Sequence, residues 1–336
     1  MKVDMKELVF TGSFRVEMMA RSVDAISDNE IVVRNRYSLI SPGTELALFT
    51  GTHVGFTDPE ITWARYPIKP GYASLGEVIA TGSKVKTCAP GDILFHYGTH
   101  ADISIIKEGQ DLCFTVPSGC DAQKALFTRF GQISYTAVAA SQKTGAVLVL
   151  GGGIIGNLCA QLFAIRTGRQ VIVADLSNER LALIAQYGLK TINTASEDVG
   201  KRLAALTDGK GVDTIVEATG VPDLVKVALQ QVNPHGEVIL LGSTRGKVEL
   251  DVYKLIHRKY VALIGAHENR YPKFGGAESQ YGFGCAVIDA LTRGALKVDD
   301  FITDHIRPDQ ADRAYHWLLE DKDHHLGIVI HWEDKE

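Results

Sequence analysis

A glycine-rich loop near the middle of the chain constrains the fold more than any other feature. Gly151, Gly153 and Gly156 form the pattern G-x-G-x-x-G between the apolar run AVLVL and a helical segment. At such a strand-to-helix turn, the first glycine permits a tight turn, the second lets backbone approach a pyrophosphate, and the third allows close packing of the helix. The phosphate then lies at the helix N-terminus, where unpaired N–H groups favour negative charge. This spacing predicts a dinucleotide-binding unit.

An acidic residue at the end of the next strand indicates which dinucleotide binds. Asp175 follows the run VIVA, about 20 residues after the loop, where a carboxylate accepts the ribose hydroxyls of NAD and repels the 2′-phosphate of NADP. Arg180 is the opposing observation, because a nearby arginine can accommodate that phosphate. In the alternative interpretation, the glycines form only a structural turn and Asp175 caps the following helix. We predict NAD as the cofactor.

The chain divides into regions with different patterns. Its 336 residues exceed what one hydrophobic core usually spans, so we expect two domains. The first part shows short strands separated by Gly, Pro and Asp, whereas buried apolar strands alternate with helices after the glycine loop. We therefore predict an α/β fold with a β-rich domain over 1–128, a dinucleotide-binding domain over 129–264 and a segment over 265–336 that returns to the first domain.

Composition excludes several classes of protein. The net charge of −5 and the lack of a block of basic residues argue against nucleic acid as a partner. The longest apolar run is too short and too rich in glycine to span a membrane, and the N-terminal segment lacks a signal-peptide core. The five cysteines form no C-x-x-C pair, so we expect reduced thiols and a cytoplasmic protein.

Six segments together resemble the medium-chain dehydrogenase/reductase superfamily, the zinc alcohol dehydrogenase-like group. They are PGYASLGEV, APGDILF, VPSGCDAQKAL, VLVLGGGIIG, VDTIVEATG and GEVILLGS. The resemblance implies a GroES-like β-rich catalytic domain, a Rossmann domain with a doubly wound parallel sheet, and a homodimer paired through sheet edges. It also implies that the cofactor contacts residues beyond the glycines and Asp175: Ile154, Ile155, Arg180, Thr219, Leu241, Gly242 and Ser243.

The chain departs from that resemblance where the family binds its catalytic zinc. Zinc-bearing members read G-H-E where this chain has Gly71, Tyr72 and Ala73, and Ser41 or Pro42 stands in place of a cysteine ligand. The third ligand position aligns with Arg129, and the cysteine lobe for structural zinc is missing. Zinc needs about three thiolate, imidazole or carboxylate ligands around an open position, so we predict that no metal binds.

Without a metal, oxidation of an alcohol needs a proton acceptor and hydrogen-bond donors at the reacting oxygen. The resemblance places Tyr72, His100 and Arg129 in the pocket, with Thr44 and Glu45 of the segment ISPGTEL as a polar pair. We expect Tyr72 to lie near the nicotinamide with its hydroxyl reaching the substrate oxygen. His100 is the expected general base, because the ordinary pKa of histidine is near neutrality, and Tyr72 or Arg129 would stabilise the alkoxide.

Each catalytic candidate also has a purely structural interpretation. Tyr72 would fill the volume left by zinc, packing against Phe127 or Phe130, and Arg129 would form an ion pair with Glu45. Four other histidine interpretations stay open: His100 as a satisfied loop histidine, His96 as its competitor, His267 as a structural or pocket residue, and His324 with His325 as a solvated turn.

The segments YSLISPGTE, GAH and LGIVIHW are similar to a zinc-free branch that includes bacteriochlorophyllide hydroxyethyl dehydrogenases and predicted sugar or polyol dehydrogenases. A pocket with many polar groups suits polyhydroxylated or acidic substrates, because an apolar ligand would leave buried donors unpaired. We predict a zinc-independent, NAD-dependent dehydrogenase acting on a secondary hydroxyl or ketone of a small polar molecule. The alternatives are reduction of an activated C=C bond, as in quinone or enone reductases, and a non-catalytic NAD-binding protein.

Overall fold

The computed structural model describes residues 2–333, which form two compact units. The first unit contains the residues up to Arg129, residues 291–293 and those from Val298 onward, and the second contains Phe130–Ala290 and Gly294–Lys297. The first boundary adjoins the predicted one, but the return to the first unit comes later than predicted, because 265–290 belong to the second unit. The reason is packing: Phe283 stacks on Tyr135 with 4.8 Å between ring centroids.

The first unit is β-rich, as predicted, and its described residues contain three α-helices. The elements are β1 (Val3–Gly12), β2 (Arg15–Val23), β3 (Glu30–Leu39), α1 (Thr44–Phe49), β4 (Ser74–Thr81), β5 (Ile93–His96), β6 (Ile103–Lys107), β7 (Cys113–Thr115), α2 (Ala122–Ala125), β14 (Ile302–Ile306), α9 (Ala311–Glu320) and β15 (Gly327–His331). The seven-stranded sheet has the order β14-β15-β3-β4-β5-β7, with β6 also paired to β3, while β1 and β2 form a separate antiparallel pair.

Packing joins the N-terminal and C-terminal parts of this first unit. Phe10 of β1, Phe49 of α1 and Tyr315 of α9 are fully buried, and the Tyr315 ring lies 5.0 Å from each of the two phenylalanine rings. The closing strand β15 pairs antiparallel with β3. Burial of such aromatic side chains is a large apolar contribution, which anchors the returning segment to the first unit.

The second unit is a doubly wound α/β domain, which confirms the predicted fold class. Its elements are α3 (Thr128–Ala140, beginning in the first unit), β8 (Val147–Leu150), α4 (Ile154–Thr167), β9 (Val171–Asp175), α5 (Asn178–Gln186), β10 (Lys190–Asn193), α6 (Val199–Leu206), β11 (Thr214–Glu217), α7 (Pro222–Gln231), β12 (Glu237–Leu240), β13 (Ala262–Gly265) and α8 (Gln280–Thr292). The strand β10 and the helix α6 were not among the segments singled out in the sequence.

The six strands of the second unit run parallel in the order β10-β9-β8-β11-β12-β13. All four residues of β8 are buried, because apolar clusters cover both faces of the sheet. Strand order reverses between β8 and β11, and ligands of such sheets bind beyond the carboxyl ends of the strands at this point. The glycine loop after β8 and Thr219 after β11 therefore lie side by side.

Strand β13 forms one edge of the parallel sheet and is poorly covered. Leu263 in this strand is 40% exposed, and Tyr260 just before it is 71% exposed. An uncovered edge strand can pair with another chain. The homodimer stays a prediction, with this edge as its natural location.

The cysteines and the helix lengths concern the expectations about reduced thiols, compartment and membrane partners. All five cysteines have free thiols. Within residues 2–333, we find no helix that combines the length and the apolar character needed to cross a bilayer. The predicted compartment and the predicted absence of nucleic-acid and membrane partners stay predictions.

His96 ends β5 and is fully buried in the first unit. One ring nitrogen, Nε2, lies 2.9 Å from Asn35 Oδ1, and the other, Nδ1, accepts a hydrogen bond from Gly98 N at 3.0 Å. Asn35 Nδ2 donates to Ala101 O and Ser104 Oγ, which assigns its Oδ1 as the acceptor and His96 as the neutral Nε2–H tautomer. Burial lowers the pKa of His96 to about 3. His96 is therefore a satisfied core residue rather than a catalytic base.

This burial predicts how stability depends on pH. Below the ordinary histidine pKa of about 6.5, the unfolded chain binds a proton at His96, whereas the native chain does not. The free energy of unfolding therefore falls as the pH falls towards 3. We expect His96 to add up to about 1.4 kcal/mol per pH unit to the slope of unfolding free energy in this window. Urea unfolding followed by tryptophan fluorescence measures it, since Trp63, Trp317 and Trp332 all lie in the first unit.

The comparison variant is His96→Gln, which keeps one donor and one acceptor but does not titrate. Its slope between pH 7 and pH 5 should be shallower than that of the wild-type chain. Equal slopes for the two proteins would contradict the assignment.

Candidate active site

Tyr72 occupies a corner just before β4 whose geometry depends on the preceding glycine. Gly71 has a φ of +99°, and a Cβ at this position would lie 2.5 Å from His100 N. Only glycine tolerates both the left-handed backbone and this close approach. The result is a tyrosine that is partly exposed and donates its hydroxyl hydrogen to Ser41 Oγ. Two residues aligned with zinc-ligand positions are thus in direct contact.

The environment of Tyr72 makes it a hydrogen-bond donor at neutral pH. Burial of the hydroxyl and the nearby Glu45 carboxylate raise the pKa of Tyr72 to about 12, although its hydrogen bonds with Ser41 and Thr44 and the charge of Arg129 act in the opposite direction. A phenol with this pKa keeps its proton near pH 7. Tyr72 therefore stays protonated at neutral pH, donates to Ser41 and is not suited to act as a base.

Behind this corner, Glu45 and His100 form a buried pair in the first unit. Glu45 is 1% exposed and His100 is fully buried, and His100 Nε2 lies 2.9 Å from Glu45 Oε2. The carboxylate also accepts hydrogen bonds from Tyr315 Oη at 2.7 Å and from Ser41 N at 3.0 Å. A buried carboxylate requires such donors, because leaving its charge unpaired costs several kcal/mol. Burial and Glu45 also raise the pKa of Tyr315.

Two hydrogen-bond directions in this network can be assigned from its ends. The Trp332 Nε1–H group can only donate, and it donates to Ser38 Oγ at 2.8 Å. The Glu45 carboxylate can only accept, so His100 Nε2–H donates to it, and His100 Nδ1 lies 2.8 Å from Ser38 Oγ. Both ring nitrogens of His100 are therefore engaged inside the protein. This arrangement matches the alternative interpretation, in which His100 is a satisfied loop histidine. His100 contacts Glu45, and Glu45 in turn accepts a hydrogen bond from Ser41 N beside Tyr72.

Arg129 lies in the first turn of α3, and its guanidinium contacts aromatic rings. The guanidinium carbon is 4.6 Å from the centroid of the Tyr97 ring and 5.4 Å from that of the Tyr72 ring. Glu45 has three donors of its own, Ser41, His100 and Tyr315. The structure thus places Arg129 against the Tyr72 ring. In the alternative interpretation, the Arg129 guanidinium would have to compete with these three donors for the Glu45 carboxylate.

The remaining histidine candidates lie in structural positions. His267 is exposed and accepts a hydrogen bond from Asn269 N at 3.2 Å, which caps a short helical turn. His324 is exposed and pairs with Asp321, as expected for a solvated turn. His325 differs from that expectation, because it is partly buried, lies 2.8 Å from Asp304 Oδ2 and stacks on Trp317.

The donor set at the corner does not suit zinc. The residues aligned with the zinc ligands are Ser41 or Pro42, Tyr72 and Arg129, which offer hydroxyl groups and a cation rather than thiolate, imidazole or carboxylate ligands. In the described part of the chain, no three or more His, Cys, Asp or Glu residues are grouped so as to hold a metal ion. Zinc independence stays a prediction that rests on this donor chemistry.

The glycine loop of the second unit has the geometry that a dinucleotide requires. Gly151 has a φ of +100°, and a Cβ there would lie 2.7 Å from Thr219 Cγ2. At Gly156 a Cβ would collide with the carbonyl oxygen of Gly151, whereas at Gly153 it would meet no atom within 4 Å. Gly153 precedes the first residue of α4, Ile154. The open backbone thus lies at a helix N-terminus, where a pyrophosphate is stabilised.

Asp175 is connected to this loop and does not cap the next helix. Its Oδ2 accepts a hydrogen bond from Gly152 N at 2.6 Å, and its Oδ1 accepts one from Ser177 N at 2.9 Å. The N-cap of α5 is Ser177, whose hydroxyl accepts from Arg180 N. The alternative in which Asp175 caps the helix is therefore wrong. The carboxylate stands beside the glycine loop, where a ribose would lie.

The other predicted cofactor residues lie at the neighbouring strand ends. Thr219 follows β11, and Leu241, Gly242 and Ser243 follow β12; Thr219 and Ser243 are exposed, while Ile155 and Arg180 are partly exposed. Gly242 comes so close to Gly220 that a Cβ there would meet Gly220 N. These segments therefore form one continuous surface beside the glycine loop, which we call the cofactor ledge.

Glu217 connects the segments of this ledge through hydrogen bonds, and it was not among the predicted site residues. Its fully buried carboxylate accepts hydrogen bonds from Thr219 N at 2.7 Å and Gly220 N at 3.0 Å, and also from Thr219 Oγ1 and Thr244 Oγ1. The signal was an acidic residue ending an otherwise apolar strand, in VDTIVEATG. Five residues of the corner were likewise not assigned roles: Ser38, Ser41, Tyr97, Tyr315 and Trp332.

Comparisons with known proteins agree with this architecture. The family model described as zinc-binding dehydrogenase matches residues 155–278. The chain is 28% identical to the L-threonine 3-dehydrogenase of Pyrococcus furiosus over 300 residues, covering 78% of this chain and 84% of the relative. It is also 28% identical to the D-guloside 3-dehydrogenase of Escherichia coli over 247 residues, covering 67% of this chain and 70% of the relative.

A solved structure extends the likeness to nearly the whole chain. The alcohol dehydrogenase rspB of Escherichia coli CFT073, solved with NADH, has a TM-score of 0.82 at 19% identity and covers 98% of this chain and 99% of its own. This likeness concerns the fold. Together with the glycine loop, the strand order and the family model, it leads to one conclusion: the chain is similar to alcohol dehydrogenase-like oxidoreductases of the medium-chain dehydrogenase/reductase superfamily.

Proposed function

We propose that the protein is a zinc-independent, NAD-dependent dehydrogenase that interconverts a secondary hydroxyl and a ketone on a small polar molecule of the sugar, polyol or cyclitol type. The observation that carries this proposal is the contact between Tyr72 and Ser41. Two hydroxyl groups take the positions aligned with zinc ligands and offer hydrogen bonds instead of Lewis acidity. The relatives named for L-threonine and D-guloside are consistent with a hydroxylated polar substrate.

The glycine loop and Asp175 would hold NAD, which would supply the hydride acceptor or donor for the substrate carbon. This chain's residues act at the oxygen: the Tyr72 hydroxyl turns from Ser41 to the substrate oxygen and stabilises the charge that develops as that oxygen loses its proton. The proton is released to water, since the raised pKa of Tyr72 prevents the phenol from accepting it at neutral pH. Glu45 and His100 position Ser41, and through it Tyr72. Thr44 supports the same hydroxyl.

The preference for NAD rests on the charge of Asp175. Its carboxylate accepts hydrogen bonds from the backbone of the glycine loop and of the following turn, so its position is constrained. A 2′-phosphate next to this carboxylate would experience like-charge repulsion, whereas ribose hydroxyls can donate to it. Arg180 in the first turn of α5 is a nearby feature that favours NADP.

Replacing Tyr72 with Phe tests the proposed role of its hydroxyl. We expect kcat to fall by about 100-fold, the usual contribution of one hydrogen-bond donor to a developing oxyanion, while NADH affinity changes little. Initial rates of NADH formation with a panel of sugars and polyols measure the first quantity, and fluorescence titration with NADH measures the second.

A matched control is Tyr37→Phe, which removes a hydroxyl from β3, where the ring packs against His331. This variant should retain wild-type kcat. If Tyr72→Phe also retains it, the tyrosine only fills space and the proposed mechanism is wrong.

Replacing Asp175 with Asn tests the basis of cofactor choice. The amide oxygen can still accept one of the two backbone hydrogen bonds, but the repulsive charge is gone. We expect the ratio of kcat/KM for NAD to that for NADP to fall by about tenfold or more, because like-charge contacts are worth several kcal/mol. An unchanged ratio would mean that another residue selects the cofactor.

Metal analysis tests zinc independence directly. Purified active protein should contain substoichiometric zinc by mass spectrometry, and prolonged dialysis against a chelator should leave the rate of NADH formation unchanged. Zinc recovered in stoichiometric amounts, with activity lost on chelation and restored by zinc, would contradict the proposal.

A further inference from the structure

We propose that strand β2 of the first unit pairs with β2 of a second copy of this chain, antiparallel, across a two-fold axis that passes through Met19. The pairing joins the β1–β2 sheets of the two copies into one continuous sheet. This surface differs from the edge strand β13, and the inference is independent of the proposed function. A second copy is the occupant because the charges of β2 match those of the same strand read in the opposite direction.

Strand β2 has an unprotected outer edge. Among residues 2–333, it pairs with β1 and with no other strand. Its nine residues are exposed, except for Val16 and Val23, which are partly buried. Edge strands that stay single are usually short, bulged, or protected by proline or lysine, whereas β2 contains neither residue and keeps a regular register with β1 from Val16 to Val23. The strand is therefore open to another strand.

The hydrogen bonds of β1 show which backbone groups of β2 point outward. Leu8 N donates to His100 O rather than to β2. Leu8 lies opposite Met18, and both members of such a non-hydrogen-bonded pair direct their N–H and C=O groups away from each other. Because this direction alternates along a strand, the even-numbered residues of β2 present their backbone groups at the outer edge. They are Val16, Met18, Ala20 and Ser22.

A two-fold axis at Met19 satisfies both the backbone and the charges. Two outer edges exchange hydrogen bonds only when even-numbered residues of one copy lie opposite even-numbered residues of the other. With the axis at Met19, Met18 lies opposite Ala20 of the second copy. The same register places Glu17 opposite Arg21 of the second copy, and the symmetry repeats this pair on the other side of the axis. Opposite charges facing each other across strands stabilise a sheet.

The neighbouring registers that keep the backbone alternation lack this match. An axis at Met18 places Arg15 opposite Arg21, and like charges directly opposite each other destabilise a sheet. An axis at Ala20 shortens the paired segment and leaves Glu17 without an arginine opposite it. Charge therefore selects the axis at Met19.

Both charged side chains of this pair are available at the surface. The Glu17 carboxylate is exposed and accepts a hydrogen bond from Thr11 Oγ1 at 2.7 Å. The side chain of Arg21 is 48% exposed and lies 3.7 Å from Glu7. Glu7 has a closer partner in Lys69, at 2.7 Å, so its charge does not depend on Arg21. Arg21 can therefore turn to a carboxylate of the second copy.

Apolar side chains of β2 also favour association. Met18 and Met19 are 41% and 39% exposed. They lie on opposite faces of the strand, because side chains alternate, so pairing covers apolar surface on both faces. Met19 faces its own copy across the axis in a pair without hydrogen bonds, where opposing side chains approach most closely.

Cysteine cross-linking tests the register. At a non-hydrogen-bonded antiparallel pair the two Cα atoms lie about 4.5 Å apart, a distance that a disulfide can span. Met19→Cys should therefore form a covalent dimer under mild oxidation, seen on a non-reducing gel. Both this variant and its control carry Cys285→Ser, because Cys285 is an exposed free thiol.

Met18→Cys is the matched control, since Met18 is as exposed as Met19. In the proposed register it is offset from its own copy by two residues, and the Cα atoms are about 9 Å apart, too far for a disulfide. This variant should stay largely monomeric on the gel. No dimer from Met19→Cys, or as much dimer from Met18→Cys, would overturn the inference.

Charge reversal tests the pairing of Glu17 with Arg21. The rate of disulfide formation by Met19→Cys, divided by its rate with a small disulfide reagent, reports pairing through β2 whatever other surface associates. Adding Glu17→Arg should lower this ratio by about tenfold, because attraction becomes repulsion on both sides of the axis. Adding Glu60→Arg, the same change at an exposed loop residue, should leave it unchanged. An equal ratio in the two variants would overturn the charge-selected register.

Discussion

The candidate active site depends on one buried charge, the carboxylate of Glu45. Glu45 is 1% exposed, and its charge is stabilised there because Ser41, His100 and Tyr315 all donate to it. These donors come from three separate parts of the chain, the loop before α1, the segment after β5, and α9. Satisfying one charge therefore fixes the relative position of all three. The Tyr72 corner is built on this network through Ser41.

The same requirement recurs at the cofactor ledge of the second unit. Glu217 is fully buried, and its oxygens are satisfied by backbone and hydroxyl donors from the turns after β11 and β12. In both units, then, a buried acid organises a polar surface without being exposed itself. Substitution of Glu45 or Glu217 should therefore disturb several residues at once, because either substitution leaves several hydrogen-bond donors unpaired.

A zinc site and a site built from hydroxyl groups need different side chains on a similar fold. A metal needs anionic or imidazole ligands that converge on one point, whereas the corner here supplies a phenol with a raised pKa and a serine in contact with it. Arg129 adds a cation held over two aromatic rings. In the proposed function, this combination binds the substrate oxygen through hydrogen bonds.

Local pattern was sufficient to predict the parallel sheet, the glycine loop and Asp175, because the turn geometry, helix N-terminus and strand end are contained in contiguous residues. It also identified Tyr72, Arg129, Glu45 and His100 as members of one region. It did not reveal that His100 is closed off between Ser38 and Glu45, that Ser177 rather than Asp175 caps α5, or that Tyr315 and Trp332 complete the network. Those facts depend on contacts between residues up to 294 positions apart, which only the folded chain brings together.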